Sequence, residues 1–210
     1  MTNKNLHHID NCLVNHKVAL MRSVNTGTKE FREYAKELAL MLGYEALRDL
    51  PTVSAQIQTP LETTTQRLIV KDSVVLLPIL RAGLGMEDGI LTLLPTAVVG
   101  HIGMYRDHET FQPKEYYFKA TNLQDKTVLV LDPMLATGGS VVAAISLIKR
   151  SKPYKIKVLT IVSAPQGIQN VFKVHSDVEI YTAAVDRELN KDNYIVPGLG
   201  DAGDRLFGTK

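Results

Sequence analysis

The sequence contains no tryptophan, one cysteine (Cys12), no excess of either charge and no long apolar run, and each lack closes off a class of protein. A single cysteine cannot form an intrachain disulfide, so a reducing compartment fits. The 24 basic and 22 acidic residues leave a net charge of +2. That is too balanced to draw nucleic acid, although a local patch would escape such a count. The most apolar stretches are interrupted by Pro78 or Pro95 and fall short of the roughly 20 residues a membrane helix needs. The opening Met1-Thr2-Asn3-Lys4-Asn5-Leu6-His7-His8 lacks the apolar centre of a secretory signal. No internal repeat, low-complexity segment, linker or Gly-x-x-x-x-Gly-Lys-Ser/Thr motif is present, and His7, His8, His16, His101 and His175 have no metal-ligand spacing. These exclusions leave a soluble, cytoplasmic protein with no membrane or nucleic-acid partner. The 210 residues, 45% hydrophobic and 22% charged, suffice for one well-cored domain over 1–210.

Residues 127–149 organise the rest. Val128, Leu129, Val130 and Leu131 form an unbroken apolar run that reads as a buried strand. Asp132 ends it, and Ala136-Thr137-Gly138-Gly139-Ser140 follows as a small polar loop. Val141, Ile145 and Ile148 then fall at helical spacing, with Lys149 and Arg150 in the last turn. A helix start presents unpaired N–H groups and the positive end of the dipole, which suits an anion. Two glycines permit close approach, and two hydroxyls add donors. Thr-Gly-Gly-Ser alone favours an ordinary N-capped helix after a strand. Asp132, fixed between strand and loop where it can accept from sugar hydroxyls, tips the balance towards a sugar phosphate.

Around this unit, residues 28–47 form an amphipathic helix with Phe31, Tyr34, Leu38, Leu42 and Ala46 on one stripe and Thr26 as its expected N-cap. The polar residues 1–16, within an N-terminal arm of about 1–25, are expected to pack on the body or on a partner subunit. Residues 52–70 alternate as a hairpin with Pro60 near the turn. Strands are expected at 74–80, 96–104, 115–119, 128–131, 155–162 and 178–184, with helices following Gly83 and over 166–175. Strands alternating with helices predict an α/β fold: a doubly wound, mainly parallel central sheet with flanking helices, plus the hairpin and a C-terminal hood over about 186–210.

Ligands of such sheets sit at the carboxyl ends of strands, and further polar clusters fall there. Arg81 emerges from an apolar strand into Ala82-Gly83-Leu84-Gly85, as a diphosphate ligand would; a surface arginine at a strand end is the equal alternative. Residues 103–114 form a charged loop, a candidate lid or simply a solvated turn. Asp107, His108 and Glu109 within it are adjacent and diverge, which argues against a metal or acid–base cluster. Gly198-x-Gly200-x-x-Gly203 formally matches a dinucleotide fingerprint, but too few residues remain for the strand–helix–strand unit it requires.

The run Leu131-Asp132-Pro133-Met134-Leu135-Ala136-Thr137-Gly138-Gly139-Ser140 resembles the phosphoribosyl diphosphate (PRPP) loop of type I phosphoribosyltransferases, and in particular the uracil phosphoribosyltransferase branch. Much of the wider family has two adjacent acids, whereas here Leu131 precedes Asp132. Tyr194-Ile195-Val196-Pro197-Gly198-Leu199-Gly200-Asp201-Ala202-Gly203-Asp204-Arg205 resembles the uracil-binding segment of the same branch. The resemblance implies transfer of the 5-phosphoribosyl group of PRPP to uracil, giving UMP and diphosphate. By the same match PRPP is bound by Arg81, Arg106, Asp132, Pro133, Met134, Leu135, Ala136, Thr137, Gly138, Gly139, Ser140 and Asp201. Uracil is bound by Tyr194, Ile195, Gly200, Asp201 and Ala202, mainly through backbone. Asp132, Asp201 and Arg106 are the expected catalytic residues. With one acid at the loop, Mg2+ is expected to be held chiefly by PRPP and water, without direct protein ligation. The resemblance also implies a homodimer or higher homo-oligomer and leaves open whether GTP is an effector, as in some relatives. A regulator that binds RNA and senses UMP, and a phosphoribosyltransferase for another base, are the alternatives.

Overall fold

The computed structural model of the chain describes residues 3–106 and 113–209. The polar opening packs on the body, one of the two expectations, with its first strand paired to the edge of the main sheet. It forms β1 (Leu6–His8) and α1 (Cys12–Arg22), the helix started by the Asn11 side chain, which accepts from the Leu13 and Val14 amides. α2 (Thr28–Ala46) buries Phe31, Ala35, Leu38, Leu42 and Ala46 along its apolar stripe. Its cap position is Gly27 rather than Thr26; the Thr26 hydroxyl instead donates to the Leu20 carbonyl of α1 at 2.6 Å. β2 (Thr52–Gln58) and β3 (Thr63–Ile69) pair antiparallel as a separate two-stranded sheet, as the alternation predicts.

β4 (Val74–Leu80) and α3 (Leu84–Leu93) follow. The single strand expected at 96–104 is divided into β5 (Val98–Val99) and β6 (His101–Arg106). Gly100 separates them, where a Cβ would lie 2.6 Å from the Lys119 carbonyl. β7 (Pro113–Lys119) begins earlier than its apolar residues suggest, because pairing with β6 extends the ladder to Arg106 and Pro113. The remainder runs β8 (Thr127–Leu131), β9 (Met134–Leu135), α4 (Gly139–Lys149), β10 (Lys155–Ser163) and α5 (Pro165–Val174). β11 (Glu179–Val185), β12 (Glu188–Leu189), β13 (Ile195–Val196) and α6 (Ala202–Phe207) complete it.

The main sheet has the order β1-β11-β10-β8-β4-β6-β7 and is parallel except for the β6–β7 pair. The chain leaves β4 towards β6 and returns on the other side at β8, so the strand order switches between β4 and β8. Alternating residues feed two cores, as expected for a sheet buried on both faces. On β8, Leu129 and Leu131 join the layer of α1, α2, α3 and α6, while Val128 and Val130 join that of α4 and α5. Lys157, fully buried on β10, ties the end of α2 to the sheet. Its Nζ donates to the Ala46 carbonyl at 2.5 Å and bonds Asp49, with Glu179 at 3.5 Å.

Candidate active site

The β4/β8 switch is where an open α/β sheet leaves a crevice. Register pairs Pro78 with Leu131 and Leu80 with Gly103. Asp132, Arg81 and Arg106 therefore stand at the carboxyl ends of three adjoining parallel strands. The Asp132 amide donates to the Leu159 carbonyl at 3.2 Å, which fixes the residue over β10. Among the described residues, its Oδ1 accepts only a 3.3 Å bond from the Met134 amide. Burial without a cationic partner pushes the carboxyl up to about 7, against the opposing pull of that amide. The residue as a whole is half-buried, so one part of it faces the cleft.

The loop beyond Asp132 encloses a cavity of about 120 Å³ lined by Asp132, Met134, Leu135, Ala136, Thr137, Gly138, Gly139, Ser140 and Val141. Pro133 lies behind it, buried, with its carbonyl taken by the Ile161 and Val162 amides. Gly138 caps α4 in the left-handed region at φ +80°, and no side chain caps the helix. The first intrahelical bond runs from the Val142 amide to the Gly138 carbonyl at 2.9 Å. The Gly139 amide makes a long 3.5 Å bond to the Thr137 hydroxyl, which leaves the Ser140 and Val141 amides, among the described residues, as the unpaired donors of the helix start beside a cup large enough for one phosphate.

The bracing of this cup was not visible in the sequence. A Cβ on Gly167 of α5 would lie 2.4 Å from the Ala136 carbonyl oxygen, and one on Gly138 would lie 2.8 Å from that of Gly167. Asn170 Nδ2 donates to the Thr137 carbonyl at 3.0 Å. The available signal was a glycine two residues after Pro165, in a helix whose start faces the loop.

Arg81 is exposed, its guanidinium 3.8 Å from Asp204 and 5.5 Å from the Phe207 ring centre. The Leu80–Arg81 peptide is cis. Gly83 lets this turn lie against β8, since a Cβ there would approach the Leu131 carbonyl to 2.3 Å. Arg106 is described by its backbone, as the last residue of β6. Half of the expected lid, residues 107–112 with Asp107, His108 and Glu109 among them, lies outside the described residues.

The hood carries glycines at φ +62° (Gly198) and +81° (Gly200), after a cis Val196–Pro197 bond. Tyr194, Gly200 and Asp201 line a cavity of about 450 Å³ with Thr26, Gly27, Thr28, Asp204 and Arg205. Ile195 and Ala202 turn their side chains into the core, so only their peptides can meet a ligand. Asp201 caps α6 by accepting from the Asp204 amide at 2.9 Å. A larger cavity of about 730 Å³ lies between β1 and α5, lined mostly by apolar groups. It lacks the convergent donors and the carboxylate of the loop site, so chemistry rather than size selects the latter. Among the described residues no three His, Cys, Asp or Glu side chains gather as a metal site, and no helix is long and apolar enough to cross a membrane.

The family model described as uracil phosphoribosyltransferase matches residues 8–209. The chain belongs to the uracil phosphoribosyltransferase family. The uracil phosphoribosyltransferase of Symbiobacterium thermophilum is 55% identical over 203 residues, covering 96% of this chain and 97% of that protein. That of Clostridioides difficile is 52% identical over 94% and 95% of the two chains. A solved structure of an Aquifex aeolicus protein superposes with TM-score 0.94 at 37% identity, over 98% of this chain and 99% of that one. A hypoxanthine-guanine phosphoribosyltransferase from Bacillus anthracis, 13% identical over 76% and 80% of the chains with TM-score 0.51, shares the fold alone.

Proposed function

We propose that the protein transfers the 5-phosphoribosyl group of PRPP to uracil, forming UMP and releasing diphosphate. The observation that carries this is the uncapped α4 start, with Gly138 at φ +80° and Asp132 beside it, in a chain of this family. The 5′-phosphate binds the amides and hydroxyls of residues 136–140, and Asp132 accepts from the ribose hydroxyls. Arg81 and Arg106 neutralise the leaving diphosphate. As the C1′–O bond breaks, positive charge grows on the sugar, and the Asp132 and Asp201 carboxylates stabilise it. Uracil approaches through the peptides of Ile195, Gly200 and Ala202, with Tyr194 at the rim. Its edge alternates C=O and N–H, and cytosine's amino group would meet the wrong partner.

A hard divalent cation takes oxygen ligands, and Asp132 is the one carboxylate lining the loop cavity. The residues fit a magnesium ion carried mainly by PRPP and water, which would supply charge neutralisation at the diphosphate. The residues around the loop bind and orient the sugar, which must be kept from the water that would hydrolyse PRPP. The same reading takes the protein as a cytoplasmic homo-oligomer with GTP as a candidate effector. In support of the oligomer, the β2–β3 hairpin exposes Val53 and its cross-strand partner Leu68 on one face, apolar side chains suited to a second copy.

Turnover of uracil with PRPP and magnesium, compared with Asp132→Ala and Arg106→Ala, tests the assignment. UMP from the wild type and rates lowered at least tenfold in both variants are expected. Undiminished rates in both would remove these residues from the mechanism.

A further inference from the structure

Two arginines and a buried aspartate with no role assigned above hold the turn that leads to the base. Arg22, the last residue of α1, forks onto Asp186 with bonds of 2.8 and 2.5 Å. The same Arg22 Nη1 donates to the Gly198 carbonyl at 2.7 Å, and the Gly198 amide donates to Asp186 Oδ2 at 2.8 Å. One ion pair therefore occupies both polar groups of Gly198. Asp186 is only 7% exposed, and its own amide is anchored to the Ser163 carbonyl at the end of β10. One residue on, the Leu199 carbonyl accepts from Arg205 at 2.8 Å. Arg205 also donates to the Met21, Ser23 and Thr26 carbonyls, and its guanidinium lies 4.3 Å from the Phe31 ring centre. Among the described residues, nothing hydrogen-bonds the amide or carbonyl of Gly200, the next in line.

We propose that Arg22 and Asp186 are positioning residues for base recognition: their ion pair saturates Gly198 and so presents the peptide edge of Gly200 in a fixed register. The inference rests on the hood being the acceptor site. A turn built on left-handed glycines adapts easily, whereas an edge that separates uracil from cytosine needs its donor and acceptor held in place. A bidentate arginine–carboxylate pair supplies that rigidity, and a lysine cannot reproduce the fork. The polar N-terminal region thereby becomes part of the recognition apparatus, through a contact that spans 164 residues of sequence.

The test compares wild type with Arg22→Lys and Asp186→Asn by calorimetric titration with UMP and with ribose 5-phosphate. Both ligands use the phosphate loop, and only UMP carries the base. The proposal expects UMP to bind at least tenfold more weakly in the variants while ribose 5-phosphate stays within twofold. The KM for uracil should rise in parallel, with the KM for PRPP unchanged. Equal weakening of both ligands, or no weakening of either, overturns it. A wild type that binds UMP no better than ribose 5-phosphate defeats the acceptor-site reading itself, and the proposal with it. If neither variant folds, hydrogen exchange on the wild type decides. A Gly198 amide protected before ligand is added supports the clamp, and one exchanging as fast as the exposed hairpin amides overturns it.

Discussion

Gly167→Ala adds one methyl group to a helix that is expected to touch neither substrate. The new Cβ would meet the Ala136 carbonyl oxygen at 2.4 Å and that of Leu135 at 2.8 Å. An ordinary contact is about 3.5 Å, so the loop or α5 must retreat by roughly 1 Å. Overpacking of this kind costs about 1–3 kcal/mol, or roughly 2–12 °C in Tm for a domain of this size. At an open helix site the same change would stabilise by up to about 1 kcal/mol, so the sign is itself diagnostic. A displacement near 1 Å in the phosphate cup is worth up to about 100-fold in rate. The expected result is a PRPP KM raised at least tenfold, an unchanged uracil KM and a lower Tm by scanning fluorimetry. Wild-type PRPP kinetics with an equal or higher Tm would refute the bracing of the loop by α5.

Further outcomes follow from buried charges. The Asp132 carboxyl, raised to about 7 by burial, binds its proton more tightly in the folded than in the unfolded chain. Between about pH 4 and 7 the native state holds more protons, so stability falls as pH rises through that window. The ceiling is about 4 kcal/mol, lessened by the part of the residue that faces the cleft. Urea denaturation at pH 5 and 7.5 should show this slope in the wild type and its loss in Asp132→Asn. Lys157→Met removes the bond to the Ala46 carbonyl, while Asp49 and Glu179 keep Lys155. A loss of about 1–3 kcal/mol is expected, and a raised Tm on thermal unfolding would contradict the tie between α2 and β10.

What could be read in the sequence was what short-range order encodes. The apolar run of β8, the glycines after Asp132 and the stripe on α2 each declare their element within a few residues, and the structure has them there. The parallel alternation of strands and helices was legible for the same reason. The first 16 residues were not, because a three-residue strand is defined by its partner, and Leu6–His8 finds β11 some 170 residues away. Arg22 shows the same blindness: nothing near it in sequence announces Asp186. Thr26 looked like a cap by composition, yet its hydroxyl turned back to α1 and left Gly27 at the helix start. Local chemistry marked the glycine loop after Asp132, whereas its brace at Gly167 and Asn170 depended on how α5 packs against the loop.

The central claim, that the loop cup takes the donor and the hood selects the acceptor, is tested most directly by offering the protein PRPP, magnesium and an equimolar mixture of uracil, cytosine, hypoxanthine and orotate. The account predicts UMP and diphosphate in equal amounts and no other nucleotide. A different nucleoside monophosphate as the main product, or none at all, would contradict it.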